Sequence, residues 1–335
     1  MKIKTHDTDR RIFIVAEVGN NHEGDFEVAC KLIREAHKAG VDAVKFQSYE
    51  VAHYITSSDK ERTERLSRFH FGYESLYKLK ALADSLGLVF FSTPFDINTA
   101  IFLNQIQHLF KISSGDNNFL PLINVVAGFR KPTIISTGLT QMDSLRALRG
   151  LWRELSAGTE LAFLHCVSSY PTPANEANLL CIKTIASEFP DVTVGYSDHT
   201  EGIEAATYSA ALGARIIEKH FTLDKNFSDF RDHKLSADPR ELLQLTRNIR
   251  NVEKFLGDGV KRLQPCESEA VKGARRSIAY ACNLDSGATL TSRDITWVRP
   301  GVGSPPGDEH KFLDRILCRA VKKGELVYPH DFMQI

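Results

Sequence analysis

Two stretches, VGYSDHT at Val194–Thr200 and IIEKHFT at Ile216–Thr222, share one layout: an apolar, β-branched run that breaks into a carboxylate and a histidine. His199 and His220 stand a helix's worth of sequence apart. An HExxH helix or a zinc-finger pair, whose histidines lie about three to five residues apart, therefore does not describe them. If the fold brings the two together they can share one divalent metal, completed by water and substrate oxygen, a donor set that suits manganese, iron, cobalt or zinc. Taken singly, a histidine at a strand end is more often a hydrogen-bonded structural residue, and that reading stays open at this point. Lys45 and Lys111 each sit in a strongly apolar stretch, VDAVKFQ and FKIS. A lysine there is costly unless it finds an anion, and two lysines beside hydroxyls make a cradle for phosphate or carboxylate. Alternation along IIEKH places Glu218 and His220 on one face and Lys219 on the other, which assigns Lys219 a structural part.

These groups need elements to carry them. RIFIVAEVG reads as a buried strand and DFEVACKLIREAHKAG as the helix after it, with Asp25 as N-cap and Gly40 at the C-terminal end. The unit returns as LKALADSLG then LVFFSTP, and as EAATYSAALG then ARIIEKHFT. Eight apolar strand candidates, around Ile14, Val44, Phe90, Ile112, Ile135, Phe163, Val194 and Ile217, predict an α/β fold: a (β/α)8 TIM barrel over residues 1–260. A doubly wound open sheet is the alternative, because alternation alone does not say whether the sheet closes. No GxGxxG follows the first strand, whose turn is GNNHEGD. In a barrel the chemistry gathers at the C-terminal rim. The strand ends there offer Glu17 with Asn20, Asn21 and His22; Lys45 and Gln47; Ser92 and Thr93; Lys111, Ser114 and Asp116; Ser136 and Thr137. The later strands add His165, Ser168, Ser169 and Tyr170; Ser197, Asp198 and His199; and Glu218, Lys219 and His220. From the residues alone the reading is a metal-dependent barrel enzyme acting on a small anion.

Beyond the barrel the grammar changes. Residues 261–274 read as a linker and 275–335 as a small, loop-rich β domain, punctuated by Asp, Ser, Gly and Pro, that would gain from packing on something. Lysine plus arginine equals aspartate plus glutamate, 42 against 42, so no global basic field gathers nucleic acid or an anionic membrane. The six cysteines form no CxxC pair, and MKIKTHDTDRR is not followed by a signal-type apolar stretch, which points to a reducing, cytoplasmic setting. No apolar run approaches the roughly 20 residues of a membrane helix.

The strings AEVGNNHEGD, VDAVKFQ, FFSTPFD, KISSGDNN, IISTG, HCVSSYPTP, GYSDHT, EKHFTLDKN and DHKLSADP, in this order, resemble the sialic acid synthase family, the bacterial and animal nonulosonate synthases. GATLTSRDITWVRPG in the tail resembles that family's SAF domain, which is similar to type III antifreeze protein. The resemblance implies condensation of phosphoenolpyruvate with an open-chain N-acyl hexosamine, N-acetylmannosamine first, to a nine-carbon 2-keto acid and phosphate. It implies that His199 and His220 hold a divalent metal, Mn2+ first with Mg2+ or Co2+ as alternatives. Lys45, Thr93, Lys111, Ser114, Ser136 and Ser197 match positions expected near phosphoenolpyruvate. Glu17, Gln47, Asp116, Tyr170 and Asp232 match positions that meet the sugar or transfer protons, and Ser168 lies in a sugar-facing segment. Arg299 matches an arginine that reaches into the partner's barrel, which implies a homodimer with a swapped C-terminal domain. Asp116 stands where many bacterial members have glutamate, Ser168 where many have asparagine, and NFSDFRDH replaces the commoner GPDH. Legionaminate- and pseudaminate-type precursors therefore stay open as substrates, as does a different phosphoenolpyruvate-aldose condensation. A hydrolase or isomerase would want more clustered metal ligands, and a catalytically dead scaffold would be expected to have lost its histidines.

Overall fold

The computed structural model describes residues 1–334. It divides into a unit Met1–Gly257 and a second unit beginning at Asp258. In the first, a short hairpin of β1 (Lys2–Ile3) and β2 (His6–Asp7) precedes eight parallel strands. These are β3 (Phe13–Gly19), β4 (Ala43–Ser48), β5 (Val89–Pro94) and β6 (Phe110–Ile112), then β7 (Thr133–Ser136), β8 (Leu161–Cys166), β9 (Thr193–Asp198) and β10 (Ile216–His220). Each contains the apolar position expected of it.

The strand order is β5-β4-β3-β10-β9-β8-β7-β6. The first and last barrel strands pair directly, Ile217 opposite Ile14 and His220 opposite Glu17. The order otherwise runs without reversal, which is the ring of a (β/α)8 barrel and not the switched order of an open doubly wound sheet. At the seam, β5 and β6 lie side by side without a hydrogen-bond ladder. The buried Gln107 side chain substitutes for one: its Oε1 accepts from the Ser92 N–H at 2.8 Å and its Nε2 donates to the Ser92 carbonyl at 3.2 Å.

Side-chain alternation sorts each strand into two faces. Outward residues such as Ile14, Val44 and Ile217 pack under the helices, while Phe13, Val15, Ala43, Phe91, Ile134, Leu164 and Ile216 fill the barrel interior. Met1 and Ile3 of the hairpin join that interior cluster and close its lower end. Gly195 leaves space there: a Cβ would stand 2.3 Å from the Ile216 carbonyl and 2.5 Å from Leu164 Cδ2. Helix Phe26–Ala39 starts and stops as its residues dictate. Asp25 accepts from the N–H groups of Glu27 and Val28, and Gly40 takes the left-handed conformation at φ 77°.

The second unit has an antiparallel pair, β11 (Ser277–Tyr280) with β12 (Ile295–Val298), over a small core that includes Ile278, Tyr280, Leu290, Leu317 and Phe332. Arg319 pairs with the buried Asp331 at 2.7 Å, and Tyr280 donates to the same carboxylate at 3.1 Å. The stretch expected as a linker carries a helix, Ser268–Ala274, whose ends are exposed and which buries none of its residues. Among the described residues no helix is long and apolar enough to cross a membrane.

Replacing Gln107 by alanine leaves both Ser92 backbone groups without partners in a buried seam. Urea denaturation is expected to show a loss of about 1–3 kcal/mol, and an unchanged midpoint would remove this account of how the ring closes.

Candidate active site

The C-terminal ends of the barrel strands line one cavity of about 1110 Å3. At its base alternation that placed aliphatic side chains lower down now presents charge. Lys45 Nζ lies 3.1 Å from Glu17 Oε2, 3.3 Å from Glu218 Oε2 and 3.1 Å from Thr93 Oγ1. Lys111 Nζ lies 3.4 Å from Glu218 Oε1, which also accepts from Ser197 Oγ at 2.9 Å. Gln47 donates to Glu17 Oε1 at 3.0 Å and accepts from Asn20 at 3.0 Å, so the Glu17 carboxylate is aimed. All four charged groups are buried.

Their protonation follows from that burial. Desolvation alone would raise Glu218, but Lys111 and Lys45, with the Ser197 hydrogen bond, outweigh it and bring the carboxyl down to about 2. Glu17 goes the other way: burial and repulsion from Glu218 exceed the pull of Lys45 and raise it. Burial lowers Lys111, with Glu218 opposing and Lys45 adding to the shift. Lys45 is held above its usual value because its two carboxylates overcome its desolvation.

Beside this quartet stand the two histidines, with ring centroids 5.4 Å apart. His199 Nδ1 bonds the Val167 carbonyl at 2.8 Å, which makes Nδ1 the donor and leaves Nε2 as a free lone pair. His220 is buried and its Nδ1 has no partner. Burial, then the neighbouring charges of His199 and Lys45, holds His220 well below the ordinary imidazole value. Burial alone would lower His199, but Cys166 and the Val167 carbonyl outweigh it and hold the ring above the ordinary imidazole value; a divalent metal would take the place of that proton, and two imidazoles with unused nitrogens fit one. Among the described residues no group of three or more His, Cys, Asp or Glu side chains gathers around one point, so a metal held here would take its other ligands from water or substrate.

The opposite wall is hydroxyl-rich. Ser136 Oγ and Ser168 Oγ are buried without partners, and Ser114 Oγ accepts from the Gly138 N–H at 3.1 Å. A Cβ at residue 138 would stand 2.3 Å from Ser168 Oγ and 2.7 Å from Ser114 Oγ, so the hydroxyls converge only because this residue is glycine. The Tyr170 ring covers His199 at 4.2 Å and carries Arg231 Cζ at 4.7 Å. Asp232 is buried, ion-paired to Arg231 Nε at 3.3 Å, and raised by burial.

The structure thus gathers Glu17, Lys45, Gln47, Thr93, Lys111, Ser114, Ser136, Ser168, Tyr170, Ser197, His199, His220 and Asp232 around one cavity. Asp116 is not on that wall; its carboxylate accepts from Ser113 Oγ at 2.6 Å, and burial raises it. Arg299 belongs to the second unit, where it is exposed and its Nε donates to the Ala274 carbonyl at 2.8 Å. His165, read as a rim residue, points outward and bonds the Ala177 carbonyl at 2.8 Å, while its neighbour Cys166 takes the inward position. Alternation from Leu164 would have found Cys166. Arg62, Arg65, Arg68 and Arg231 also line the cavity and were not singled out by sequence; only the recurrence of arginine along ERTERLSR hints at the first three.

Two expected rim residues are structural. Lys219 is fully buried on the outer face, 3.0 Å from Asp198 Oδ2 and 2.5 Å from the Thr200 carbonyl. His22 stacks on Phe71 at 4.1 Å and accepts from the Gly24 N–H at 3.0 Å; burial pushes it down to about 3, so it stays neutral.

Residues 32–261 match the NeuB family. The chain is 43% identical to an uncharacterized protein of Methanocaldococcus jannaschii, over 96% of this chain and 94% of that one. It is 34% identical to the N,N'-diacetyllegionaminic acid synthase of Campylobacter jejuni, over 95% of this chain and 99% of the relative. Among solved structures, the N-acetylneuraminic acid (sialic acid) synthetase of Leptospira borgpetersenii in complex with citrate superposes with a TM-score of 0.76 at 32% identity. That match covers 81% of this chain and 94% of the other.

Lys219→Met would leave Asp198 charged and buried without its partner. A loss of about 3–5 kcal/mol in chemical denaturation is expected, and unchanged stability would contradict the structural part assigned to Lys219. His22 supplies a pH signature. Its folded value lies below the unfolded one, so its contribution is complete above about pH 6.5 and is lost as pH falls toward about 3, where the unfolded chain takes the proton first. His22→Gln should therefore show a shallower loss of stability across that window than the native chain; parallel curves would refute the assignment.

Proposed function

The chain belongs to the NeuB family and is an enzyme of the kind that makes sialic, legionaminic and pseudaminic acids; on that premise we propose that it condenses phosphoenolpyruvate with an open-chain N-acyl hexosamine and water. N-acetylmannosamine is the first choice of sugar and a 2,4-diacetamido-trideoxyhexose the alternative, since the relatives include both neuraminate-type and legionaminate-type synthases. The observation that carries the reading is the convergence of two buried lysines with unpartnered buried hydroxyls beside two facing imidazoles. A cavity of about 1110 Å3 has room for two reactants together.

In this reading carbon 3 of phosphoenolpyruvate bonds to the sugar's carbonyl carbon, water adds at carbon 2, and phosphate leaves with C–O cleavage. Lys45 and Lys111 receive the anion, with Thr93, Ser114, Ser136 and Ser197 as hydroxyl partners. An incoming anion beside Lys111 offsets the desolvation that now lowers it, so binding and protonation of that lysine support each other. Glu218 orients both ammonium groups by pairing with each. Glu17, raised in pKa and aimed by Gln47, is the group suited to hold and release a proton near the reacting carbons. Tyr170, Asp232 and Ser168 face the sugar, and Asp116 acts from behind Ser113. His199 and His220 would hold the divalent metal, Mn2+ first with Mg2+ or Co2+ as alternatives, which when bound supplies Lewis-acid polarisation of the sugar carbonyl. Arg299 is assigned to the N-acyl group of a sugar in the partner's barrel, within a homodimer that exchanges SAF-like C-terminal units.

The test is consumption of phosphoenolpyruvate with Mn2+ and each sugar, with and without chelator. Turnover with one sugar, abolished by chelator, is the expected outcome; no consumption with any N-acyl hexosamine would overturn the reading. His199→Ala and His220→Ala should each lower turnover at least about a hundredfold with the fold intact by circular dichroism. Retained turnover in both would remove the metal assignment.

A further inference from the structure

The chain between residues 222 and 237 leaves β10 and returns beside it. The Thr222 N–H donates to the Ala237 carbonyl at 3.0 Å, and the Ala237 N–H to that of His220 at 2.8 Å. The middle of this segment, from Ser228 to Asp232, lines the cavity. Two side chains of GNNHEGD, the turn after β3, hold it in place. Asn21 Nδ2 donates to Ser236 Oγ at 2.9 Å, and Ser236 Oγ donates to the Asp232 carbonyl at 2.5 Å. Glu23 Oε1 accepts from Ser228 Oγ and lies 3.2 Å from Nε2 of the fully buried His233. These attachments bracket Asp232. Its own contacts do not fix its carboxylate: Oδ1 is buried and accepts no hydrogen bond, and its ion-pair partner Arg231 is largely exposed. Its orientation must come through the backbone that carries it.

The hydrogen bonds fix where the protons of this clasp lie. Thr222 Oγ1 gives its one proton to the Asp224 carbonyl at 3.0 Å, so it accepts from His233 Nδ1 at 2.7 Å. Nε2 and Glu23 Oε1 would then be two acceptors face to face unless a proton lies between them. With that proton the imidazole is held at both ends, by a hydroxyl and by a carboxylate. Glu23 reaches it from left-handed backbone at φ 47°, a conformation that glutamate seldom adopts and that persists only where the surroundings impose it. Its neighbour Gly24 fits against the Arg68 carbonyl, from which a Cβ would stand only 2.0 Å away.

We infer that Glu23 and His233 are positioning residues of the reaction: they clasp the segment after β10 to the turn after β3 and so hold Asp232 in place for the sugar. This rests on the condensation reading above, in which Asp232 faces the sugar. Lys45 on β4 and Lys111 on β6, which receive phosphoenolpyruvate in that reading, stand outside the clasp.

The experiment follows phosphoenolpyruvate consumption in the native chain, in Glu23→Ala and in Glu23→Gln, and separately the rate of tryptic cleavage after Arg231, read by mass spectrometry. Glu23→Ala should raise the KM for the N-acyl hexosamine at least about tenfold, leave the KM for phosphoenolpyruvate within about threefold, and speed cleavage at least about tenfold. Glutamine restores the clasp without the shared proton, because its amide nitrogen has two protons to give, one to His233 Nε2 and one to Ser228 Oγ. Glu23→Gln should therefore stay within about threefold of the native chain in each measurement. Equal impairment of Glu23→Gln and Glu23→Ala would overturn the inference, since the carboxylate itself would then act on the substrate. So would equal rises in both KM values, or a sugar KM that stays native while cleavage quickens. If no sugar supports consumption, the condensation reading fails by itself. Cleavage then decides the clasp: faster in Glu23→Ala and restored in Glu23→Gln sustains it, and equal rates in all three chains end it.

Discussion

Burying Lys45 and Lys111 inside an apolar barrel is the constraint on which the site depends. An unpaired ammonium in such a place would be expelled or neutralised, so each lysine must meet an anion within the protein. Glu218 pairs with both and Glu17 with Lys45, and each of the four comes from a different strand. The quartet therefore exists only when β3, β4, β6 and β10 stand around one axis. The pairing of β10 with β3 brings that about, because it joins the two ends of the strand series and places His220 level with Glu17.

Alternation then divides labour along each strand. In β10, Glu218 and His220 face the cavity while Lys219, between them, crosses to Asp198 on the outer face. In β8, Cys166 faces in and His165 out. A shift of one residue in either strand would exchange these parts, and the aliphatic residues below hold the phase, since Leu164 and Ile216 can only be accommodated inside. The chemistry at the rim is thus registered by packing several residues away. Gly195 belongs to the same logic, for the interior beside Leu164 and Ile216 has no room for a further side chain.

The loops supply what strands cannot. Ser114, Gly138 and Ser168 come from three successive strand-to-helix connections and converge because one of them lacks a Cβ. The helix Lys60–Phe69 adds guanidinium groups, and the loop with Arg231 adds another against Tyr170.

Much of this was legible in order of residues. Eight apolar runs, separated by helices with their own caps, specify parallel strands because a buried strand needs β-branched and aromatic residues on both faces and a helix needs its period. The polar breaks at the ends of those runs identified the rim, and the costly placement of lysines in FKIS and VDAVKFQ meant that each must meet an anion, which Glu17 and Glu218 supply within the protein. The same order of residues left three things open. It could not say that the ring closes, which depends on β10 meeting β3 and on Gln107 covering the remaining seam. It could not say which polar strand ends face inward, so His22 and His165 looked like site residues until packing turned them to Phe71 and to the Ala177 carbonyl. It also gave no reason to bring the arginines of one helix to the wall that holds His199. Local pattern is set by neighbours in the chain, and these three outcomes are set by contacts between residues from 12 to about 200 apart, beyond the reach of a single helix turn or strand pair, which exist only once the barrel has formed.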